Sequence, residues 1–141
     1  MAHAEKTQVF NVSIDKIFKV LTNFEGYPDF MDGVNGVKVL ETNGNTVKAE
    51  YSLNIIKKFS YVMDHTVEEP NKISWSFVSG DLFKKSDGSW TLKDLGDGTT
   101  EVTYSVDIDF KVMVPGMVSK KLVSSNLPSM LKSVENKAKE L

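Results

Sequence analysis

What most limits the fold is an order of patterns: a long stretch of two-residue alternation followed by one long helical stripe. From Val37 to about Val112 apolar and polar residues alternate, broken at Asn43-Gly44-Asn45, Glu69-Pro70-Asn71, Asp87-Gly88 and Gly96-Asp97-Gly98. Period two sends successive side chains to opposite faces of a strand, and these Gly, Asn, Asp and Pro clusters are turn formers. The pattern therefore predicts a meander of about six antiparallel strands. Its clearest member is the last, where Val102, Tyr104, Val106, Ile108, Phe110 and Val112 alternate with Glu101, Thr103, Ser105, Asp107, Asp109 and Lys111. From Gly116 to Leu141 the residues Val123, Leu127, Met130, Leu131, Val134, Ala138 and Leu141 recur at helical spacing, a stripe of roughly 37 Å at 1.5 Å per residue. Pro128 lacks a donor and crowds the carbonyl of Ser124, which predicts a kink or break near Asn126.

Upstream, a strand over Lys6 to Val12 meets Ser13 as N-cap, and Ile14, Ile17, Phe18 and Leu21 then form one apolar helix face that Gly26 ends. Tyr27 to Met31 form a second short turn, with Pro28 where a missing N–H costs nothing. A strand, two short helices, a meander and one long amphipathic helix bury their apolar faces together if a curved sheet wraps the helix. The expectation is an α+β helix-grip fold with about seven strands and two short helices after the first. No repeat or linker divides residues 1–141, so one domain is expected.

Charge and composition narrow the partners. A net charge of -2, with 40% hydrophobic and 26% charged residues, is that of an ordinary globular chain without the basic excess of a DNA-binding protein. All 17 basic residues are lysine, so there is no guanidinium fork to grip phosphate or carboxylate. The cysteine count is zero, which removes thiolate metal sites and cysteine nucleophiles. The polar start, Met1 to Lys6, and the absence of a long apolar run point to the cytoplasm and make Asn11-Val12-Ser13 a chance sequon. No phosphate-binding loop, G-x-S-x-G or H-E-x-x-H is present, and of two histidines His3 falls in the N-terminal tail. Gly33-x-x-Gly36 and Gly96-x-Gly98 read as loops. No cofactor or metal is expected.

Strand parity gathers one inward face. It takes Tyr51 and Leu53 from one strand, Tyr61, Met63 and His65 from the next, then Trp75 with Phe77, Trp90 with Leu92, and finally Tyr104, Val106 and Phe110. Met117 and Met130 bring flexible thioethers from the helix. His65 would be either a polar contact for a ligand carbonyl or hydroxyl, or a core histidine satisfied by Tyr51, Tyr104 or a backbone carbonyl. Asp107 with Asp109, and Asp29 with Asp32, fall on wet surfaces. Ile55-Ile56-Lys57-Lys58-Phe59 forms a hairpin tip without turn formers, suited to a membrane surface or partner, or to folding inward.

Four stretches carry a family resemblance: Tyr27-Pro28-x-Phe30, Ser79-Gly80-Asp81-Leu82-Phe83, Gly88-Ser89-Trp90-Thr91-Leu92 and Val114-Pro115. Together they resemble the polyketide cyclase and coenzyme Q-binding branch of the START-like (SRPBCC) superfamily, across essentially the whole chain. The resemblance implies an apolar cavity between sheet and terminal helix for a small hydrophobic ligand: a lipid, an isoprenoid quinone or a polyketide. Some members are described as inhibitors of ribosomal subunit association, and cyclase members often use a cavity arginine, which this chain lacks. Binding without catalysis is the first expectation. A cyclase or dehydratase using His65 and a tyrosine is the second, and contact with ribosomal subunits through the lysine-rich last helix is the third. The sequence leaves the oligomeric state open.

Overall fold

The structure, a computed structural model, describes residues 2–31, 34–54, 58–113, 115–120 and 127–141. β1 (Ala2–Phe10) leads into α1 (Ile14–Thr22) and a 3-10 helix over Phe24–Asp29. Six strands follow: β2 (Val34–Asn43), β3 (Thr46–Asn54), β4 (Lys58–Glu68), β5 (Lys72–Gly80), β6 (Phe83–Asp94) and β7 (Thr100–Phe110). The chain then forms α2 (Gly116–Lys120) and α3 (Leu127–Lys139). The strands make one antiparallel sheet in the order β1-β7-β6-β5-β4-β3-β2, and its concave face holds α3. This is the α+β helix-grip fold that the pattern predicts.

Several local expectations are corrected. β1 starts at Ala2 rather than Lys6, because residues 2–6 pair along the backbone with Tyr104 to Ile108 of β7, a ladder that needs no apolar signal. His3 thus lies in a strand, not a tail, with Nδ1 2.8 Å from Asp107 Oδ1. Gly26 does not end α1. The helix stops at Thr22, where the Asn23 N–H bonds to the Val20 carbonyl, and Gly26 continues into the 3-10 helix.

Asp87-Gly88 is no turn but the middle of β6. A side chain at Gly88 would put Cβ 2.4 Å from Trp75 Cζ2 and 2.6 Å from the Ser105 carbonyl oxygen, so the glycine gives the indole room to lie against the strand. The chain turns earlier, after Gly80, whose φ of 145° is open to glycine. Gly36 sits at a bulge in β2 rather than in a loop.

Pro128 is the second residue of α3 as described, and the kink or break expected near Asn126 lies outside the described residues. Asp32, Gly33, Ile55, Ile56, Lys57, Val114, Lys121, Val123, Ser124 and Asn126 lie outside the described residues. Among the described residues, no helix is long and apolar enough to cross a membrane.

At the end of the sheet marked by Phe10, Leu92 and Val102, α1 and α3 pack on each other and on β6 and β1. Ile17 and Leu21 of α1 and Leu131, Val134 and Ala138 of α3 are fully buried there. Glu135 of α3 is buried as well. One of its oxygens accepts the Asn11 N–H at 2.9 Å, and Lys132 and Lys139 lie 3.2 and 3.8 Å from the carboxylate, so two of the helix lysines hold a buried partner. Burial alone would raise its pKa, but these contacts outweigh it and hold the carboxyl below its ordinary value.

β2 is an outer strand and carries bulges between Val34 and Gly36 and between Val39 and Glu41. The Val39 N–H donates to Glu25 Oε2 at 3.1 Å, so a side chain from the 3-10 helix occupies part of this edge.

Candidate ligand cavity

At the other end of the concave face the filling stops and a cavity of about 170 Å³ remains. The 3-10 helix and the residues after it bring Tyr27, Phe30 and Met31, and α3 brings Ser129, Met130 and Ser133. The sheet supplies the rest, from Val34 of β2 across to Tyr104, Val106 and Ile108 of β7. All four tyrosines of the chain line this space, and among the described residues no lysine, aspartate or glutamate does.

Register explains the polar core of the site. Val47 faces His65 across β3 and β4, and Tyr51 faces Tyr61. The Val47 carbonyl is thereby 3.0 Å from His65 Nδ1, and the Tyr51 hydroxyl is 2.6 Å from Nε2. A carbonyl can only accept, so Nδ1 carries the proton, Nε2 is bare and Tyr51 donates to it. Burial lowers the His65 pKa, opposed by the Val47 carbonyl and by Asp64, which keeps the ring neutral near pH 7. Phe24 packs on the same imidazole at 4.4 Å between ring centres.

The Tyr51 and Tyr61 rings stack at 5.2 Å and 3°, as a directly opposed cross-strand pair permits. Tyr27 donates its hydroxyl to the Leu21 carbonyl. Tyr104 lies against Trp75 and Trp90, at 5.7 and 4.7 Å. Burial raises the pKa of all four phenols, and a charge on Tyr104 would raise the other three further, so they converge on one neutral space.

Of the residues that parity gathers, Tyr51, Leu53, Tyr61, Met63, His65, Trp75, Trp90, Tyr104, Val106 and Met130 line the cavity. Trp90 is 2% exposed. Phe77, Leu92, Phe110 and Met117 do not line it. Leu92 shares Trp90's face but lies further along β6, at the filled end. Phe77 and Phe110 both pack on Phe83, at 6.2 and 5.6 Å between ring centres, and Phe83 reaches the cavity in their place. Met117 is 85% exposed on the five-residue α2.

Phe83 and Ser86 are lining residues that parity misses. A turn placed at Asp87-Gly88 cuts both off from the Trp90 strand, and a bulge between Phe83 and Lys85 shifts Phe83 out of that strand's parity. Ser129 and Ser133 flank the helical stripe at i, i+4 spacing, which is the signal that finds them. Among the described residues, no group of three or more His, Asp and Glu side chains could hold a metal ion.

Residues 10–135 match the family described as polyketide cyclase / dehydrase and lipid transport. The chain belongs to that family. Within its wider fold, the chain superposes on the Zhui aromatase/cyclase of a Streptomyces species with a TM-score of 0.85 at 15% identity, covering 99% of this chain and 94% of that one. A START superfamily protein from Mycobacterium smegmatis gives 0.83 at 22%, covering 98% and 97%. In sequence, the ribosome association toxin RatA of Escherichia coli K12 is 21% identical over all of this chain and 89% of its own. The family membership fits an enclosed apolar site, and at these identities the structural likenesses speak to fold.

Proposed function

We propose that this protein binds one small, uncharged, apolar or amphipathic molecule between the concave face of the sheet and α3, as a binding or carrier protein rather than an enzyme. The observation that carries this reading is a cavity walled by aromatic rings, without an ionised side chain among the described residues, at the place where members of the family would hold a hydrophobic ligand. Its volume is close to that of a cavity that admits benzene. Among lipids, isoprenoid quinones and polyketides, the enclosed part therefore suits a ring system rather than a long chain. Ion capture is disfavoured, since a buried charge without a partner is costly.

A cyclase-like reading has one observation in its favour, the Tyr51 and His65 pair, which can pass a proton. Both ring nitrogens of His65 are already engaged, which supports binding over turnover. The test is native mass spectrometry of the purified protein with organic extraction of what it carries. An apolar ring compound released unchanged supports the binder, whereas a product that no longer forms in a His65→Ala variant supports the cyclase. Protein that is empty and sediments with ribosomal subunits overturns both in favour of a surface role.

A further inference from the structure

Resting on the reading of the cavity as a ligand site, we propose that its four tyrosines divide it by hydrogen-bond polarity, selecting a small, uncharged aromatic molecule that bears both a hydroxyl and a carbonyl. Tyr27 and Tyr51 present only lone pairs, and Tyr61 and Tyr104 present protons.

The assignment follows from what each hydroxyl already does. The Tyr27 proton goes to the Leu21 carbonyl, which has none to return. The Tyr51 proton goes to His65 Nε2, because the Val47 carbonyl fixes the imidazole proton on Nδ1. Each of these oxygens keeps lone pairs and can only accept from an occupant. Tyr61 and Tyr104 make ring contacts, but their hydroxyls have no hydrogen-bond partner among the described residues. No buried polar side-chain atom is left unsatisfied among those residues, so both hydroxyls open onto space. A phenol proton with no protein acceptor is a donor awaiting a carbonyl.

The walls set the rest of the class. Flat rings on β3, β4, β5 and β6 favour a planar occupant, and about 170 Å³ holds one ring with small substituents. With no charged side chain among the described residues of the lining, the occupant is neutral.

The experiment is a titration, by NMR or calorimetry, of the full chain with three matched probes. 4-Hydroxyacetophenone has both groups, 4-methoxyacetophenone has lost the donor, and 4-ethylphenol has lost the carbonyl. The first should bind about five- to tenfold tighter than either of the others, the value of one hydrogen bond to a group otherwise left unpaired. The double variant Tyr27→Phe, Tyr51→Phe should abolish the penalty for the methoxy probe. The double variant Tyr61→Phe, Tyr104→Phe should abolish the penalty for 4-ethylphenol and leave the methoxy penalty in place. Equal binding of the three probes to the unaltered protein overturns the polarity assignment and leaves the cavity reading standing, and this comparison needs no variant to fold. Binding of none at millimolar concentration overturns the cavity reading and the assignment with it.

Discussion

α3 covers two unlike regions of one sheet. Toward α1 it presents Leu131, Val134 and Ala138, all fully buried, whereas over the cavity it presents Ser129, Met130 and Ser133. The sheet changes in step, from Phe10, Leu92 and Val102 at the filled end to Tyr51, Tyr61, Tyr104 and His65 at the open one. A dry core and a binding space thus share the same strands, and the choice of side chain alone separates them. Branched aliphatics interdigitate and leave no void, while rigid phenols opposite short serines hold their walls apart.

The sharpest test of that contrast is Leu131→Ala, expected to cost about 2–5 kcal/mol in chemical denaturation, as for a closely packed leucine. Met130→Ala, one residue away on the cavity side, should cost much less, and equal losses would break the distinction. Next in size is Tyr27→Phe, which strands the Leu21 carbonyl and should cost about 1–3 kcal/mol. Tyr104→Phe removes a hydroxyl with no partner among the described residues, so its stability should stay within about 0.5 kcal/mol of the parent.

Two acid transitions follow in separate windows. The folded pKa of His65 lies below 6.5, so the unfolded chain binds more protons as the pH drops under that value. Stability should decline from pH 6.5 downward until folded His65 protonates too, and thermal melts of a His65→Gln variant should lose that slope. Glu135, also lowered, contributes stability above its ordinary pKa of 4.5 that is lost as the pH falls through its folded value. Melts of Glu135→Gln should show a smaller decline below pH 4.5, and an unchanged curve would mean that the Asn11 contact does not anchor α3.

Much of this architecture is legible in the sequence. Parity alone brings Tyr51 and His65 to one face, because alternation along regular strands carries over directly to direction in space. It fails where the ladder is irregular. Phe83 is hidden by the bulge at Lys85, and Gly88 imitates a turn because a glycine that admits an indole and one that bends a chain are the same letter. Tyr27 and Phe30 stand out as a family motif, yet irregular backbone has no period from which to read that they close the cavity. His3 is misplaced for a related reason, since a strand held by its ladder leaves little trace in hydropathy.

The Glu25 contact on β2 bears on how the molecule behaves in a crowded solution. An open sheet ends in a row of unmet amide and carbonyl groups that a second copy can extend, the first step toward fibres. Leu40 is 47% exposed on this strand, which makes it an inviting template. The carboxylate seated on the Val39 amide, together with the two bulges, interrupts that row at its middle. One acidic side chain from a neighbouring turn thus works as a guard against self-propagation, and its loss should be felt first in shelf life at high concentration.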